Sequence, residues 1–197
     1  MTDKEAPRAP KIVLTGGPGG GKTTAADLFR RELGEKVVVV PEAATMLFSG
    51  GFPRTREHDA VRYVQQAIYH VQTNIESVQT ALYPERVLLC DRGTVDGGAY
   101  WKNGESDFFE FLGTSLEAEL ARYDAVIFFE TAAVGNMSIE GGNPTRNESI
   151  EEAINLDKKL KSLWEKHPNF THVRHNTSFT KKIMSGLWAI EEVLKGL

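Results

Sequence analysis

Residues Gly16, Gly17, Pro18, Gly19, Gly20, Gly21, Lys22, Thr23 and Thr24 follow a short apolar run and precede a helical pattern. Gly16 to Thr23 satisfies the spacing G-x-x-x-x-G-K-[ST] in full. Each residue type has a physical reason to be there. Glycines let backbone N–H groups turn inward and approach an anion with no Cβ in the way. The helix expected from Lys22 adds free N–H groups and a positive dipole end. Lys22 sets a point charge beside the β- and γ-phosphates, and Thr23 offers a hydroxyl to Mg²⁺, an ion that favours oxygen ligands. The chemistry expected is the holding of a nucleoside triphosphate with Mg²⁺. Gly17, Pro18, Gly19, Gly20, Gly21, Lys22, Thr23 and Thr24 are expected to form the cradle. No Asn-Lys-X-Asp guanine motif occurs, so ATP and GTP both stay open.

Other residues gather at the ends of expected strands. In "RVLLCDRG" an apolar strand ends in Asp91, which is placed to hold the metal with Thr23. Arg92 follows and is placed to clamp a phosphoryl oxygen. Asp96 is a candidate for a sugar hydroxyl or for the metal. Tyr100 and Trp101 are candidates for stacking on a substrate ring, and equally for the core. Glu42 closes "VVVVPE", where it either takes a proton from an acceptor hydroxyl or simply starts a helix. Glu130 reaches the same edge as a structural or supporting group. Arg146, in "GGNPTRNES", reads as a lid arginine that closes on the transferring group, or as a solvated charge before a helix capped by Asn147 or Ser149. Arg54 and Arg56 either bind an acidic acceptor or are solvated. Cys90 reads as a buried small hydrophobe. The five histidines show no metal-ligand spacing.

These residues need a scaffold, and the periodicity supplies one. Short apolar runs alternate with longer amphipathic stretches, which predicts an α/β fold with a parallel sheet. Strands are expected at 11–15, 36–40, 87–91, 125–130 and 172–175. Helices are expected at 22–33, 57–82, 108–121, 149–166 and 180–194. The apolar stripe of the second helix, from Val61 to Leu82, reads as core. Two long loops are expected, 49–56 and 131–148, the second being the lid. Residues 1–10 read as a flexible tail and 11–197 as a single domain. At 197 residues the chain carries a net charge of -4, which disfavours nucleic acid as a partner. The first ten residues hold no apolar signal core and no apolar run is long enough for a membrane span. With one cysteine no intrachain disulfide forms, which suits a reducing, cytoplasmic setting. The oligomeric state is open.

Taken together, "KIVLTGGPGGGKTT", "VVVVPEAA", "LLCDRGTVDGGAYW", "YDAVIFFE" and "NPTRNESIEEAINLDKKLKSLWEKHP" resemble the NadR and TRPL-translocation-defect type of P-loop ATPase domain. The resemblance runs from Lys11 to about Lys195. It implies a three-layer α/β/α P-loop NTPase similar in layout to nucleoside and nucleotide kinases, with a five-stranded parallel sheet in the order 2-3-1-4-5 and a lid. It implies Glu42 as base, Asp91 and Arg92 as the acidic–arginine pair, Arg146 as lid arginine, and residues 176–179 near the nucleotide base. Gly93 departs from the Ser, Tyr or His usual after that pair. Three functions fit: a kinase acting on a small nucleoside-like hydroxyl compound, a regulatory ATP- or GTP-hydrolysing switch, and a nucleotide-binding partner without turnover. A kinase requires an acceptor pocket between Glu42, the 49–56 loop and Tyr100/Trp101; a switch leaves that space closed or filled.

Overall fold

The computed structural model describes residues 8–135 and 149–197. Five strands, β1 (Lys11–Thr15), β2 (Val37–Val40), β3 (Val87–Asp91), β4 (Ala125–Phe129) and β5 (Phe170–Val173), form a parallel sheet in the order β2-β3-β1-β4-β5. The register sets Ile12 between Leu89 and Ala125. Alternate residues of each strand enter separate apolar clusters. Val13, Leu88, Cys90, Val126 and Phe128 meet Phe108, Leu163 and Trp164 on one face. Ile12, Leu14, Leu89, Ile127 and Phe129 meet Phe29, Ile183 and Ile190 on the other. A sheet covered on both faces demands apolar residues at consecutive positions, which is why the strands read as unbroken apolar runs.

On the second face lie α1 (Lys22–Leu33) and α8 (Phe179–Gly196). Opposite them stand α3 (His58–Leu82), the short α4 (Gly97–Tyr100) and α5 (Glu105–Phe111), and α7 (Ile150–Trp164). α7 starts with a capping box, in which Ser149 and Glu152 satisfy each other's backbone N–H. α2 (Ala43–Ser49) starts at Glu42, its N-cap, as one of the two readings of that residue had it, and the expected 49–56 loop follows it as a loop from 50 to 57; the short α4, directly after Asp96, was not foreseen.

Several boundaries also differ. The helix expected over 108–121 is two pieces, α5 and α6 (Leu116–Leu120), because Gly113 turns left-handed (φ 70°) between them. β2 begins one residue late, since Lys36 belongs to a 3₁₀ turn. β5 lies earlier than expected, where Phe170–Val173 pairs with Val126–Phe129. The flexible tail does not extend over residues 8–10. Arg8 donates to the Ala121 and Arg122 carbonyls and to Asp124, and Ala9 is fully buried. The α3 stripe is only partly core, for Val78 and Leu82 are exposed while the buried face carries Gln65, Gln72 and Glu76.

Glu76 explains that polar face. It is wholly buried and accepts Lys11 Nζ (3.0 Å), Arg122 Nη2 (3.0 Å), Gln72 Nε2 (3.1 Å) and the Tyr123 hydroxyl (2.9 Å). Tyr123 in turn accepts the Thr94 N–H at 2.9 Å, and Gln72 also donates to the Arg92 carbonyl at 3.3 Å. One buried carboxylate thus braces the segment after β3. Glu76→Leu strands two cations and is expected to destabilise the protein by about 3–5 kcal/mol in urea titration; a loss under about 1 kcal/mol contradicts this bracing.

Candidate functional site

The carboxyl ends of β1, β2, β3 and β4 bring Gly16, Glu42, Asp91 and Glu130 to one edge of the sheet, where open α/β sheets bind ligands. Gly16 takes φ 133°, and a Cβ there would stand 2.0 Å from the Phe129 carbonyl oxygen. The turn closes at Gly21, the left-handed N-cap of α1, with no side chain capping the helix. The first N–H groups of α1, at Lys22, Thr23 and Thr24, therefore face outward without intrahelical partners. Lys22 folds back over the loop and donates to the carbonyls of Gly16 (2.7 Å) and Gly17 (2.8 Å). Burial and then the charge of Arg92 pull its pKa down to about 7, against the opposing pull of Asp91, Glu42 and Asp96.

The loop is held from behind by a residue that sequence reasoning missed. Asp157, buried on α7, accepts the N–H groups of Gly17 (2.8 Å) and Thr131 (2.9 Å). The Thr131 hydroxyl donates to the Pro18 carbonyl. Asp157 thus joins the loop to the segment leaving β4. Its only sequence signal is a carboxylate inside an otherwise amphipathic helix.

At the metal candidates, the Thr23 hydroxyl donates to Asp91 Oδ2 at 2.9 Å. Asp91 Oδ1 is buried with no hydrogen-bond partner. Burial and the nearby Glu42 raise the Asp91 pKa, against Lys22, Arg92 and Thr23. An orphaned buried carboxylate oxygen beside a free-edged hydroxyl fits Mg²⁺, which takes one or two protein oxygens and keeps its waters.

Arg92 is the one non-glycine residue with positive φ (71°) among the described residues. Its N–H donates to the Leu14 carbonyl at 3.0 Å. Its guanidinium donates to Glu42 Oε1 through Nε and to Asp96 Oδ2 through Nη1 (2.7 Å). Asp96 Oδ1 accepts the Thr15 hydroxyl (2.8 Å) and Trp164 Nε1 (2.6 Å). Both Asp96 oxygens are therefore engaged by the protein and anchor Arg92, and Glu42 is engaged likewise, its Oε2 accepting the Thr45 hydroxyl at 2.6 Å. Burial opposes the charge on Glu42, but Arg92, the Thr45 hydroxyl and Lys22 outweigh it, so the carboxyl titrates below its ordinary range. Burial likewise opposes the charge on Arg92, and Tyr100, Glu42 and Asp96 hold it well above the usual value. Gly93 is small for a packing reason: a Cβ would meet the Trp164 ring at 2.7 Å and Tyr123 at 3.1 Å.

Beside this cluster opens a cavity of about 540 Å³. It is lined by Pro18, Glu42, Arg92 and Tyr100, by Val64 and Gln65 of α3, and by Phe48 and Arg54. The Arg54 guanidinium stacks 4.2 Å from the Phe48 ring centroid. Trp101 is core, packed on Phe108 and Phe111. Gln65 was missed because it sits inside an apolar-looking stripe. Glu130 accepts the His175 N–H at 2.7 Å, a structural role. The Phe179 ring lies beside Gly21, where a Cβ would stand 2.8 Å from Cε2, so Phe179 borders the loop. Cys90 is fully buried and burial raises its pKa, as for an inert thiol. Arg146 and residues 136–148 of the expected lid lie outside the described residues.

A parallel sheet in this order, with a glycine turn and a folded-back lysine between its central strand and the next helix, is one construction for holding phosphates. It defines the protein as a P-loop nucleotide-binding domain. More particularly, the chain belongs to the AAA domain family, whose model matches residues 11–182. None of the curated proteins compared with it matches the chain. Among the described residues no helix is long and apolar enough to cross a membrane.

Two outcomes follow from this geometry. Asp91→Asn is expected to weaken the Mg²⁺-dependent part of ATP or GTP affinity about tenfold or more in calorimetry, with Mg²⁺-free affinity little changed. Equal weakening in both conditions contradicts a metal role. Gly93→Ser forces a side chain into Trp164 and is expected to cost about 1–3 kcal/mol of stability in thermal or urea unfolding.

Proposed function

We propose that this domain is a kinase that moves the γ-phosphoryl of ATP or GTP to a hydroxyl of a small, nucleoside-like molecule. The cavity beside the P-loop carries this reading, because its wall holds Glu42 and Arg92 and its volume suits a small molecule. It occupies the space between Glu42, the residues after α2 and Tyr100, which a pure switch would leave closed.

The residues divide the work. The P-loop N–H groups and Lys22 orient the triphosphate. Mg²⁺, held through Thr23 and Asp91, would neutralise charge on the β- and γ-oxygens when bound. The acceptor oxygen forms a new bond to the γ-phosphorus as the bond to the β-phosphate oxygen breaks, and the nucleoside diphosphate leaves with the electron pair. Glu42 receives the hydroxyl proton. Its low pKa keeps it ionised and ready to accept at neutral pH, and a loose transition state needs only a weak base. Arg92, fixed by Glu42 and Asp96, faces the charge spread over the transferring group. Arg146 is proposed as the lid arginine, Arg54 and Tyr100 as acceptor contacts, and Phe179 as a surface for the nucleotide base. The likeness to NadR-type domains and a cytoplasmic setting belong to the same reading.

The test is acceptor-dependent ADP or GDP release across a panel of nucleosides and cofactor precursors. Glu42→Gln is expected to reduce that release about 100-fold while nucleotide affinity holds within about threefold. Unchanged turnover in the variant removes Glu42 as base. Release that never exceeds the acceptor-free rate favours the slow-hydrolysing switch instead.

A further inference from the structure

Besides Arg54, the rim of the cavity carries charge that the roles above leave unassigned. The buried lining residues, such as Val64, Gln65 and Asp96, mark its floor, and the exposed ones mark its mouth. Arg54, Arg56 and Lys102 are exposed and line that mouth. A contact joins Lys102 to Arg56, and Arg54 lies near Arg56 in the chain. Lys102 Nζ donates to the Arg56 carbonyl at 2.8 Å, and Arg54 is stacked on Phe48 two residues before Arg56. One carboxylate joins them: Glu152 lies 3.8 Å from the Arg56 guanidinium, and its other oxygen already accepts the Ser149 N–H. The remaining lining carboxylates, Glu42 and Asp96, both face Arg92. Among the described lining residues, the exposed ones thus include three cationic side chains and one carboxylate, on a chain whose net charge is -4.

A local cationic rim on an acidic protein focuses its field into the cleft and selects the sign of what enters. A cavity of about 540 Å³ suits a small molecule. Resting on the kinase reading above, we propose that the acceptor is itself an anion: a hydroxyl compound bearing a phosphate or carboxylate, which lies against Arg54, Arg56 and Lys102 while its hydroxyl reaches Glu42. Two arginines and a lysine supply both directed hydrogen bonds and a mobile point charge for such a group.

The experiment uses the full chain saturated with Mg²⁺ and a non-hydrolysable ATP or GTP analogue, so that the P-loop is filled. Binding is then measured for matched pairs: a nucleoside against its 5′-monophosphate, ribose against ribose 5-phosphate, and an alcohol against the corresponding hydroxy acid. The charged member of at least one pair is expected to bind about tenfold or more tightly, and Arg54→Gln/Arg56→Gln/Lys102→Gln to bring that ratio to within about threefold of unity. Lys102→Glu alone is expected to lower it partway. The changed side chains are exposed, so the core is untouched. Equal or tighter binding of the neutral members, no binding of any charged member at millimolar concentration, or a ratio that survives the triple change each overturns the proposal. So does a triple variant that loses the nucleotide analogue instead, because the cations would then serve the nucleotide. Turnover is scored separately. Rim-dependent anion binding without acceptor-dependent release keeps this site and removes the kinase reading. Release with neutral acceptors alone does the reverse.

Discussion

The buried charge of Arg92 is the interaction on which the site depends. Its backbone is turned left-handed and pinned to Leu14 and Gln72, while its guanidinium is shared between Glu42 after β2 and Asp96 after β3. Asp96 is tied in turn to Thr15 of β1 and to Trp164 of α7. A guanidinium withdrawn from water must keep its partners, since losing one leaves uncompensated charge in a low-dielectric place. Three strand ends and a helix are therefore held in one geometry by a single cation. A strained non-glycine backbone persists only where surrounding contacts over-determine it, and here they do.

The same cation sets the character of Glu42. Held ionised, with its oxygens accepting from Arg92 and Thr45, that carboxylate is a weak base, and the proposed phosphoryl transfer asks for no stronger one. Behind it, Glu76 braces the segment through Gln72, Tyr123 and Thr94, and Asp157 braces the P-loop. Two buried carboxylates outside the cradle thus decide where the cradle's atoms stand.

Much of this was legible in the sequence, for reasons that name the exceptions. β1, the P-loop and α1 were readable to the residue because an apolar run, glycines and a helical period change abruptly at Thr15 and Lys22. The sheet order was readable only through family likeness, since pairing is non-local. Helix α2 was legible only as the alternative that Glu42 starts a helix, because its seven residues are too few to show a period. The break at Gly113 was overlooked although Gly113-Thr114-Ser115 carries its signal, a left-handed glycine followed by the Ser115 N-cap of α6. Asp157 was invisible as a site residue because its partners are backbone N–H groups, one of them 140 positions away. Gly93 looked like a departure from a pattern, and its cause, the Trp164 ring, lies on a distant helix.

The central claim is that a phosphoryl group leaves the nucleotide for an organic oxygen. The most direct measurement supplies γ-labelled ATP or GTP, Mg²⁺ and the low-molecular-weight fraction of a cell extract, then follows where the label goes. The predicted result is label in an organic phosphate ester, formed by the wild-type chain and lost with Lys22→Ala. Label found in inorganic phosphate alone, at the same rate with and without the extract, would contradict it.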